Sequence, residues 1–288
     1  MNVEHHMAAV NGIRLHYVTA GRGPLVMLLH GFPEFWYGWK NQIPALSQKF
    51  KVAAPDLRGY NDSDKPRSVK SYGAKIVAKD IRELIYAFDV KKAHIIGHDW
   101  GGAIAWTLAQ HYPECIDRLI VLNCPLPQLM WKHFRTNMRQ LRRSWYIFYF
   151  QIPWLPEKGI GKDLNLFFQR ALRGWAFSKQ AFTDADITEY VKAFQKPHAL
   201  TGAINYYRAA FRTIADKDSR HVKPIAADTL LIWGENDKAL GKELTYGMEK
   251  YFTGRFHIKY IPDCSHWVQH EYPELVNRMI LEFLNGRQ

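Results

Sequence analysis

The pattern of apolar positions alternates along the chain between segments typical of strands and segments typical of helices. A continuous short apolar run is typical of a buried parallel strand, and one stands in LVMLLHG. Further strands are predicted in KVAAPDLRG, DRLIVLN, DTLLIWGEND and FHIKYIPDCSH. Residues 8–20 predict a strand in an early hairpin, and residues 92–96 predict another buried strand. Apolar residues spaced three and four apart predict helices over 73–88 and 103–110, over 36–50, after DTLLIWGEND, and at the C-terminus. Repeated strand and helix predict a mostly parallel sheet covered on both faces.

This alternation stops between residues 125 and 220. The interval is rich in Trp, Tyr, Phe and Arg and predicts mainly helix, and the strands resume after it. It therefore predicts an inserted helical lid and not a tandem domain. The expected architecture is an α/β fold with an eight-stranded, mostly parallel sheet and a lid inserted after the sixth strand. The core domain is predicted over 1–124 and 221–288, and the lid over 125–220.

Charge is distributed unevenly along the 288 residues. The chain has a net charge of +12, and residues 131–220 hold 16 Lys or Arg residues against 7 Asp or Glu residues. No nucleic-acid motif accompanies this charge, so no nucleic-acid partner is predicted. One hypothesis is that residues 135–156, which mix arginines with aromatic residues, make peripheral contact with anionic lipid. The alternative is a lid whose apolar side faces a pocket and whose arginines face water.

Cysteine usage and segment lengths bear on the compartment. Cys115, Cys124 and Cys264 are odd in number and form no CxxC pair, which indicates buried thiols in a reducing compartment. No apolar segment follows the first residues, and no apolar run approaches the roughly 20 residues of a membrane span. A cytoplasmic protein is expected. No Cys/His cluster is apparent, so neither a metal nor an organic cofactor is predicted.

Candidate functional residues follow the strands, because in such sheets functional groups gather at the carboxyl ends of strands. In GHDWGG, glycines flank Asp99 between a predicted strand and a predicted helix, which is the pattern of a sharp turn that presents a nucleophile. A carboxylate in that position attacks an electrophilic carbon and forms an ester. The alternative is a turn aspartate that caps a helix.

An alkyl ester must be hydrolysed, which requires a base. His266 follows the last strand and is the candidate to activate water, and Asp237, after the preceding strand, is the candidate to orient it. The order of nucleophile, acid and histidine along the chain supports this set. The backbone N–H groups of Phe32 and Trp100 are predicted to hold the oxyanion. The remaining histidines considered are interpreted as surface or packing residues: His5, His6, His111, His257 and His270.

These pieces resemble the α/β-hydrolases of the epoxide hydrolase group. The resemblance rests on HGFPEFWYGW (30–39), PDLRGYNDSDKP (55–66), GHDWGGAIAW (97–106), WGENDKAL (233–240) and PDCSHWVQHEYPELVN (262–277). It implies conversion of small hydrophobic epoxides and water to vicinal diols, with two lid tyrosines bonded to the ring oxygen. By resemblance these are Tyr149, before Phe-Gln, and Tyr207, before Arg208, with Tyr146 and Tyr206 as nearby competitors. The pocket is expected to include Phe32, Trp100, Tyr149, Tyr207 and Trp267.

Several positions bear on how closely the chain follows this group. Asn61 stands where the group often has glycine, and asparagine tolerates left-handed backbone. Pro33 follows Phe32, where the group has a cis proline, and Glu34 is interpreted as structural. Asn123 stands where some dehalogenases place the acid, which favours Asp237.

Two other functions are weighed against epoxide hydrolysis. A dehalogenase on the same fold would use Trp100 to hold a halide, but Phe32 stands where haloalkane dehalogenases often have asparagine, and Trp100 stands where fluoroacetate dehalogenases have arginine. A non-catalytic protein that binds a small hydrophobe has no need for all of Asp99, Asp237 and His266. The sequence leaves open which epoxide is used and whether the chain is a monomer or a dimer.

Overall fold

The computed structural model describes residues 2–213 and 223–286, and its strands form one sheet. Their order across the sheet is first, second, fourth, third, fifth, sixth, seventh, eighth. The second strand runs antiparallel to both of its neighbours, and all other neighbours are parallel. The eight-stranded, mostly parallel sheet is thus confirmed. The strands are β1 (Glu4–Val10), β2 (Ile13–Ala20), β3 (Leu25–Leu29), β4 (Lys51–Pro55), β5 (Ala93–His98), β6 (Ile116–Leu122), β7 (Asp228–Gly234) and β8 (Phe256–Ile261).

Helices cover both faces of this sheet. Alternate residues of β3 enter two different apolar clusters, with Met27 in one and Val26 and Leu28 in the other, so the strand is buried on both faces. This burial explains the continuous apolar run. The α-helices are α1 (Ile43–Leu46), α2 (Ala74–Tyr86), α3 (Trp100–His111), α4 (Pro127–Thr136), α5 (Met138–Arg143), α6 (Trp145–Tyr149), α7 (Leu155–Gly161), α8 (Leu164–Phe168), α9 (Asp184–Gln195), α10 (Ala199–Thr213), α11 (Val268–Glu271) and α12 (Pro273–Leu284).

Two predicted helices are wrong or much shorter than expected. In place of one helix over 36–50, the chain forms a single turn at Trp36–Trp39 and then α1, which has a proline in its first turn. Pro44 lacks an N–H group and its ring clashes with a preceding helical turn, so a helix begins there and cannot run through. After β7 the chain forms only short turns, and Gly247 has a φ of 75°, which interrupts any helix.

The helices α4–α10, which we call the lid, lie between β6 and β7 in the chain. The lid contacts the core through the Tyr206 hydroxyl, which donates to the Arg58 carbonyl at 2.9 Å, and through the ion pair of Lys196 with Asp62. Its division from the core as a separate domain remains a prediction, and its predicted end at residue 220 lies outside the described residues. Within the described ranges, no helix has both the length and the apolar composition that crossing a bilayer requires.

Candidate active site

The turn between β5 and α3 holds Asp99 in a strained conformation at the carboxyl edge of the sheet. Asp99 has φ 50° and ψ −118°, a backbone conformation that side chains rarely adopt. The turn is tight enough to require its glycines. A Cβ on Gly97 would lie 2.4 Å from the Gly101 carbonyl oxygen, and one on Gly101 would lie 2.0 Å from the Leu29 carbonyl oxygen. The carboxylate therefore stands out from the sheet between a strand and a helix, as the GHDWGG pattern predicts.

The structure brings His266 and Asp237 to this carboxylate. The Nδ1 atom of His266 lies 2.6 Å from Asp237 Oδ2, and its Nε2 atom lies 3.5 Å from Asp99 Oδ2. Asp237 is fixed in turn, because its Oδ1 accepts N–H groups at 2.7 and 2.9 Å and its Oδ2 accepts the Asn123 amide at 2.8 Å. Asn123 therefore serves the acid and does not replace it. The histidine is oriented with one ring nitrogen towards an acid and the other towards Asp99.

Burial and charge act in opposite directions on this histidine. Desolvation lowers the pKa of His266, but the nearby carboxylates of Asp237 and Asp99 outweigh it and raise the pKa to about 10. Burial acts on Asp237 in the other direction and raises its pKa, but the charge and hydrogen bond of His266 outweigh burial and bring that pKa below its usual value. The pair is thus a charged, hydrogen-bonded unit in the free protein.

We expect this pair to make stability depend on pH. The pKa of His266 is raised from 6.5 to about 10 in the folded chain, so its contribution is complete below about 6.5 and is lost as pH rises through about 10. The free energy of unfolding of the wild type should fall relative to that of His266→Gln, by at most about 1.4 kcal/mol per pH unit. Denaturant titrations from about pH 6 to about pH 11 measure the difference. A difference that does not change over this range would contradict the expected pairing.

One backbone N–H group already binds the Asp99 carboxylate. The Phe32 N–H donates to Asp99 Oδ1 at 2.8 Å, and the Phe32–Pro33 peptide bond is cis, as the resemblance implies. Oδ1 is therefore held by the protein, while Oδ2 is the oxygen beside His266. Trp100 is the first residue of α3, where backbone N–H groups have no partner within the helix. Its role as the second oxyanion donor stays a prediction.

A cavity of about 960 Å³ opens over Asp99 beneath the lid. Trp100, Tyr146 and Tyr207 line it, and the rings of the two tyrosines lie 5.9 Å apart between centroids. Burial, and after it the charge of Asp99, raises the pKa of both phenols well above the ordinary value. Both side chains therefore remain protonated and can donate a hydrogen bond into the cavity.

Tyr149, predicted as one of the two phenols, is not among the residues that line this cavity. Its ring faces Trp145 at 6.2 Å, and its hydroxyl lies 3.5 Å from the Leu155 carbonyl oxygen, at the exposed side of α6. Tyr146 stands at the cavity in its place. Tyr206, the competitor on α10, has its hydroxyl bound to Arg58, whereas Tyr207 packs on Trp100 at 5.0 Å.

Two further pocket residues lie elsewhere than predicted. Trp267 is buried, with its ring packed on His266 at 4.9 Å and on Phe182 at 5.9 Å, so it supports the histidine from below the surface. Phe32 does not line the cavity over Asp99 either. Its ring packs edge to face on Tyr207 at 5.4 Å and on Phe150 at 5.5 Å, so it supports the phenol.

A buried hydrogen-bond network around Glu34, the residue interpreted as structural from the sequence, lies next to the site. Glu34 is 1% exposed, and its carboxylate is 2.8 Å from His98 Nδ1 and 2.8 Å from His270 Nε2. The Nε2 atom of His98 lies 2.9 Å from the His266 carbonyl oxygen. Burial raises the pKa of Glu34, but the two histidines outweigh it and hold the pKa far below its usual value. The network ties His98, the residue before Asp99, to the backbone of His266.

One further group brings metal-ligand atom types together within the described residues. Single ligand atoms of His16, Asp56 and Asp62 lie within 4.8 Å of one another. His16 and Asn61 both bind Asp56, at 2.6 and 2.8 Å, and Lys196 binds Asp62. Asn61 has a φ of 36°, the left-handed backbone expected of it. These bonds occupy the carboxylates and anchor the turn after β4.

The comparisons with known proteins agree with the fold. A family model described as "alpha/beta hydrolase fold" matches residues 24–273. The chain is 42% identical over 281 residues to AB hydrolase superfamily protein YfhM of Bacillus subtilis, covering 96% of each. It is 38% identical over 280 residues to Epoxide hydrolase 4 of Homo sapiens, covering 95% of this chain and 76% of that one.

Solved structures give the same result. The crystal structure of Epoxide Hydrolase A from Mycobacterium thermoresistibile superposes with a TM-score of 0.86 at 27% identity, covering 100% of this chain and 99% of that chain. A Bacillus megaterium epoxide hydrolase superposes with a TM-score of 0.86 at 30% identity, covering 97% and 100%. The fold and the site define a hydrolase of the α/β-hydrolase class. Within that class, the chain belongs to the epoxide hydrolase family.

Proposed function

We propose that the protein converts small hydrophobic epoxides to vicinal diols through an alkyl ester on Asp99. The observation that carries this proposal is the cavity in which a carboxylate nucleophile lies together with two protonated tyrosines, Tyr146 and Tyr207. A strained ring is opened by a nucleophile on carbon and an acid on oxygen acting together, and the cavity supplies both. The names of the relatives agree with this reaction.

The first step is ring opening. Oδ1 of Asp99 is held by the Phe32 N–H, so Oδ2 attacks a ring carbon and forms the new C–O bond. The ring C–O bond breaks, and its electron pair passes to the ring oxygen, which takes a proton from Tyr146 or Tyr207. A phenol with a raised pKa is a strong base once deprotonated, so the resulting phenolate readily recovers a proton later in the cycle. The product of this step is an ester between Asp99 and the substrate.

The second step is hydrolysis of that ester. Esterification removes the charge of Asp99, which is one of the two charges that raise the pKa of His266, so this pKa falls and the ring becomes a better base. The protonated ring first gives its proton to the phenolate, and neutral His266 then takes a proton from water as the hydroxide attacks the Asp99 carbonyl carbon. The oxyanion forms on Oδ1 beside the Phe32 N–H. Collapse breaks the bond between the carbonyl carbon and Oδ2 of the ester, the leaving alkoxide takes the proton of the new carboxyl group to become the diol, and His266 is left protonated beside the Asp99 carboxylate as at the start.

Dehalogenation on this fold is the second candidate. It would share the ester on Asp99 but would need donors for a halide in place of phenols for a ring oxygen. Phe32, which stands where haloalkane dehalogenases often have asparagine, offers only an apolar ring, and that ring is packed on Tyr207. The two cavity phenols have no task in halide release, so they favour the epoxide. No cofactor is proposed, because every step uses a group of this chain.

We expect the Tyr→Phe variants at the cavity to lose activity and the variant outside the cavity to keep it. Tyr146→Phe and Tyr207→Phe should each lower kcat/KM for a styrene-type epoxide by about 10²-fold, as loss of one donor to a developing oxyanion does. Tyr149→Phe is the matched control, since it removes a phenol from the same helix that does not line the cavity, and it should keep near wild-type activity. Diol formation followed by chromatography measures all three. A large loss in Tyr149→Phe with an active Tyr146→Phe would restore Tyr149 to the site and exclude Tyr146.

A further inference from the structure

Large apolar side chains are exposed in one part of the lid. Six of the thirteen large hydrophobic residues that are exposed within the described ranges fall between residues 138 and 155. Scattered exposed apolar residues are ordinary, but a concentration of them marks a surface that contacts something. We call this set the exposed lid face. It consists of Met138, Trp145, Phe148, Ile152, Trp154 and Leu155, whose exposures are 65%, 62%, 41%, 43%, 68% and 39%.

The exposed lid face lies next to residues that line the cavity over Asp99. The Phe148 ring lies 6.3 Å from that of Phe134 and 5.9 Å from that of Phe211, and both of these residues line the cavity. Trp145 and Phe148 are three residues apart on α6, so they share one side of that helix. The exposed lid face therefore lies beside residues that form the wall of the cavity.

The surroundings of the exposed lid face are strongly basic. Residues 131–162 hold seven Lys or Arg residues and one acidic residue, Glu157. The carboxylate of Glu157 is bound on both oxygens by Arg208, at 2.6 and 3.0 Å. Arg139 and Arg142 form no ion pair with any residue in the described part of the chain. Cations thus flank the exposed apolar residues on both sides along the segment.

The charge of this surface favours an anionic lipid bilayer over a second copy of the chain as its partner. A second copy packed by two-fold symmetry would bring the same basic segment against itself, which is unfavourable. An anionic lipid surface is complementary, and an apolar face with Trp and Phe flanked by Arg is the composition of interfacial helices. Trp154 supports the same choice. It is held at φ 54°, a strained conformation for a bulky residue, and is 68% exposed.

We propose that the exposed lid face docks on an anionic lipid bilayer, with the cavity opening towards the membrane. Docking itself does not depend on the reaction. The consequence, that lipophilic epoxides reach Asp99 from the bilayer, rests on the proposed function. The proposal takes the peripheral contact suggested by the basic sequence of the lid and assigns it to named residues.

The test is co-sedimentation of the full chain with phosphatidylcholine vesicles prepared with and without phosphatidylserine. We expect binding only to the anionic vesicles, weakened by added salt. The double variants Trp145→Ala/Trp154→Ala and Arg139→Glu/Arg142→Glu should each bind at least about tenfold more weakly, since the first removes two apolar anchors and the second reverses two charges that attract anionic lipid. Tyr246→Ala is the apolar control, because Tyr246 is 61% exposed outside the lid. Lys91→Glu/Lys92→Glu is the charge control, because these residues precede β5 at the opposite edge of the sheet.

Turnover separates this proposal from the proposed function. In vesicle-free buffer, both lid variants should hydrolyse a water-soluble epoxide at the wild-type rate, since none of their four residues lines the cavity. Only the wild type and the controls should gain rate when a lipophilic epoxide is presented in anionic vesicles. Absence of salt-sensitive vesicle binding, or equal binding by the lid variants, would overturn the docking proposal even if the epoxide is hydrolysed. Dimerisation that is lost in Trp145→Ala/Trp154→Ala, without vesicle binding, would assign the face to a second copy.

Discussion

Asp99→Asn should abolish diol formation, with kcat/KM reduced by at least about 10⁴-fold. The amide is nearly the same size as the carboxylate, so the turn between β5 and α3 should fold as before. Its neutral oxygen and nitrogen are poor nucleophiles towards a ring carbon. The two phenols and the cavity remain, so substrate should still bind while no ester forms. Steady-state kinetics with an aryl epoxide measure the loss, and equilibrium binding of the unreacted epoxide measures what survives.

The control for this variant is Asp263→Asn. Asp263 is an exposed aspartate at the same edge of the sheet, with a φ of 52° that asparagine also tolerates. The Asp263→Asn variant should keep full activity, which would show that replacing a different carboxylate at this edge of the sheet does not impair the reaction. An Asp99→Asn protein that turns over at the wild-type rate, with its mass showing no deamidation, would remove the carboxylate from the reaction.

The parts of the fold that follow from buried strands could be predicted well. Every residue of β3 is buried, so its side chains are apolar on both faces and the strand appears in the sequence as a continuous apolar run. The predicted helix after β7 failed for the opposite reason. That segment is stabilised by contacts with distant residues, such as the Gln140 side chain that binds the Gly241 N–H at 2.9 Å, and a local pattern carries no sign of them.

Asp99, Asp237 and His266 could be selected as candidates from the sequence because each follows a predicted strand, and the structure brings their side chains together. The lid tyrosine could not be placed so reliably. Residues 145–150 are all aromatic or apolar, so no polar position marks which side of α6 faces water. The structure resolves the register: Tyr146 and Phe150 pack inward on Tyr207, at 5.9 and 4.9 Å, while Trp145 is exposed.

The hydrogen-bond network of Glu34 could be predicted from the sequence only in part. An acid directly after HGFP, at the edge of the sheet that also carries His98, is a signal that the carboxylate needs partners. Its second partner, His270, lies 236 positions along the chain, and no spacing rule joins residues so far apart. Long-range pairing of this kind is set by how the elements pack and becomes visible only in the folded chain.

His266→Gln should stop the reaction at the ester and make it visible. Ring opening uses Asp99 and the phenols, whereas hydrolysis needs the proton acceptor 3.5 Å from Asp99 Oδ2, so only the second step loses its base. General base catalysis contributes about 10²–10⁴-fold, so the ester should persist long enough for intact-mass measurement. Incubation with an epoxide should add the mass of the whole epoxide to the chain. Peptide mapping should place the addition on Asp99.

The mass that the His266→Gln variant gains distinguishes epoxide opening from dehalogenation. A dehalogenase would gain the mass of a haloalkane or fluoroacetate less that of the hydrogen halide, because the leaving group departs in the same step that forms the ester. Ring opening expels nothing, so an epoxide adds in full. The double variant Asp99→Asn/His266→Gln is the matched control and should gain no mass, since the base was absent in both and only the nucleophile differs. A folded His266→Gln protein that gains no mass from aryl or fatty-acid epoxides, haloalkane or fluoroacetate would contradict an ester intermediate, because the single variant retains every group that ring opening requires.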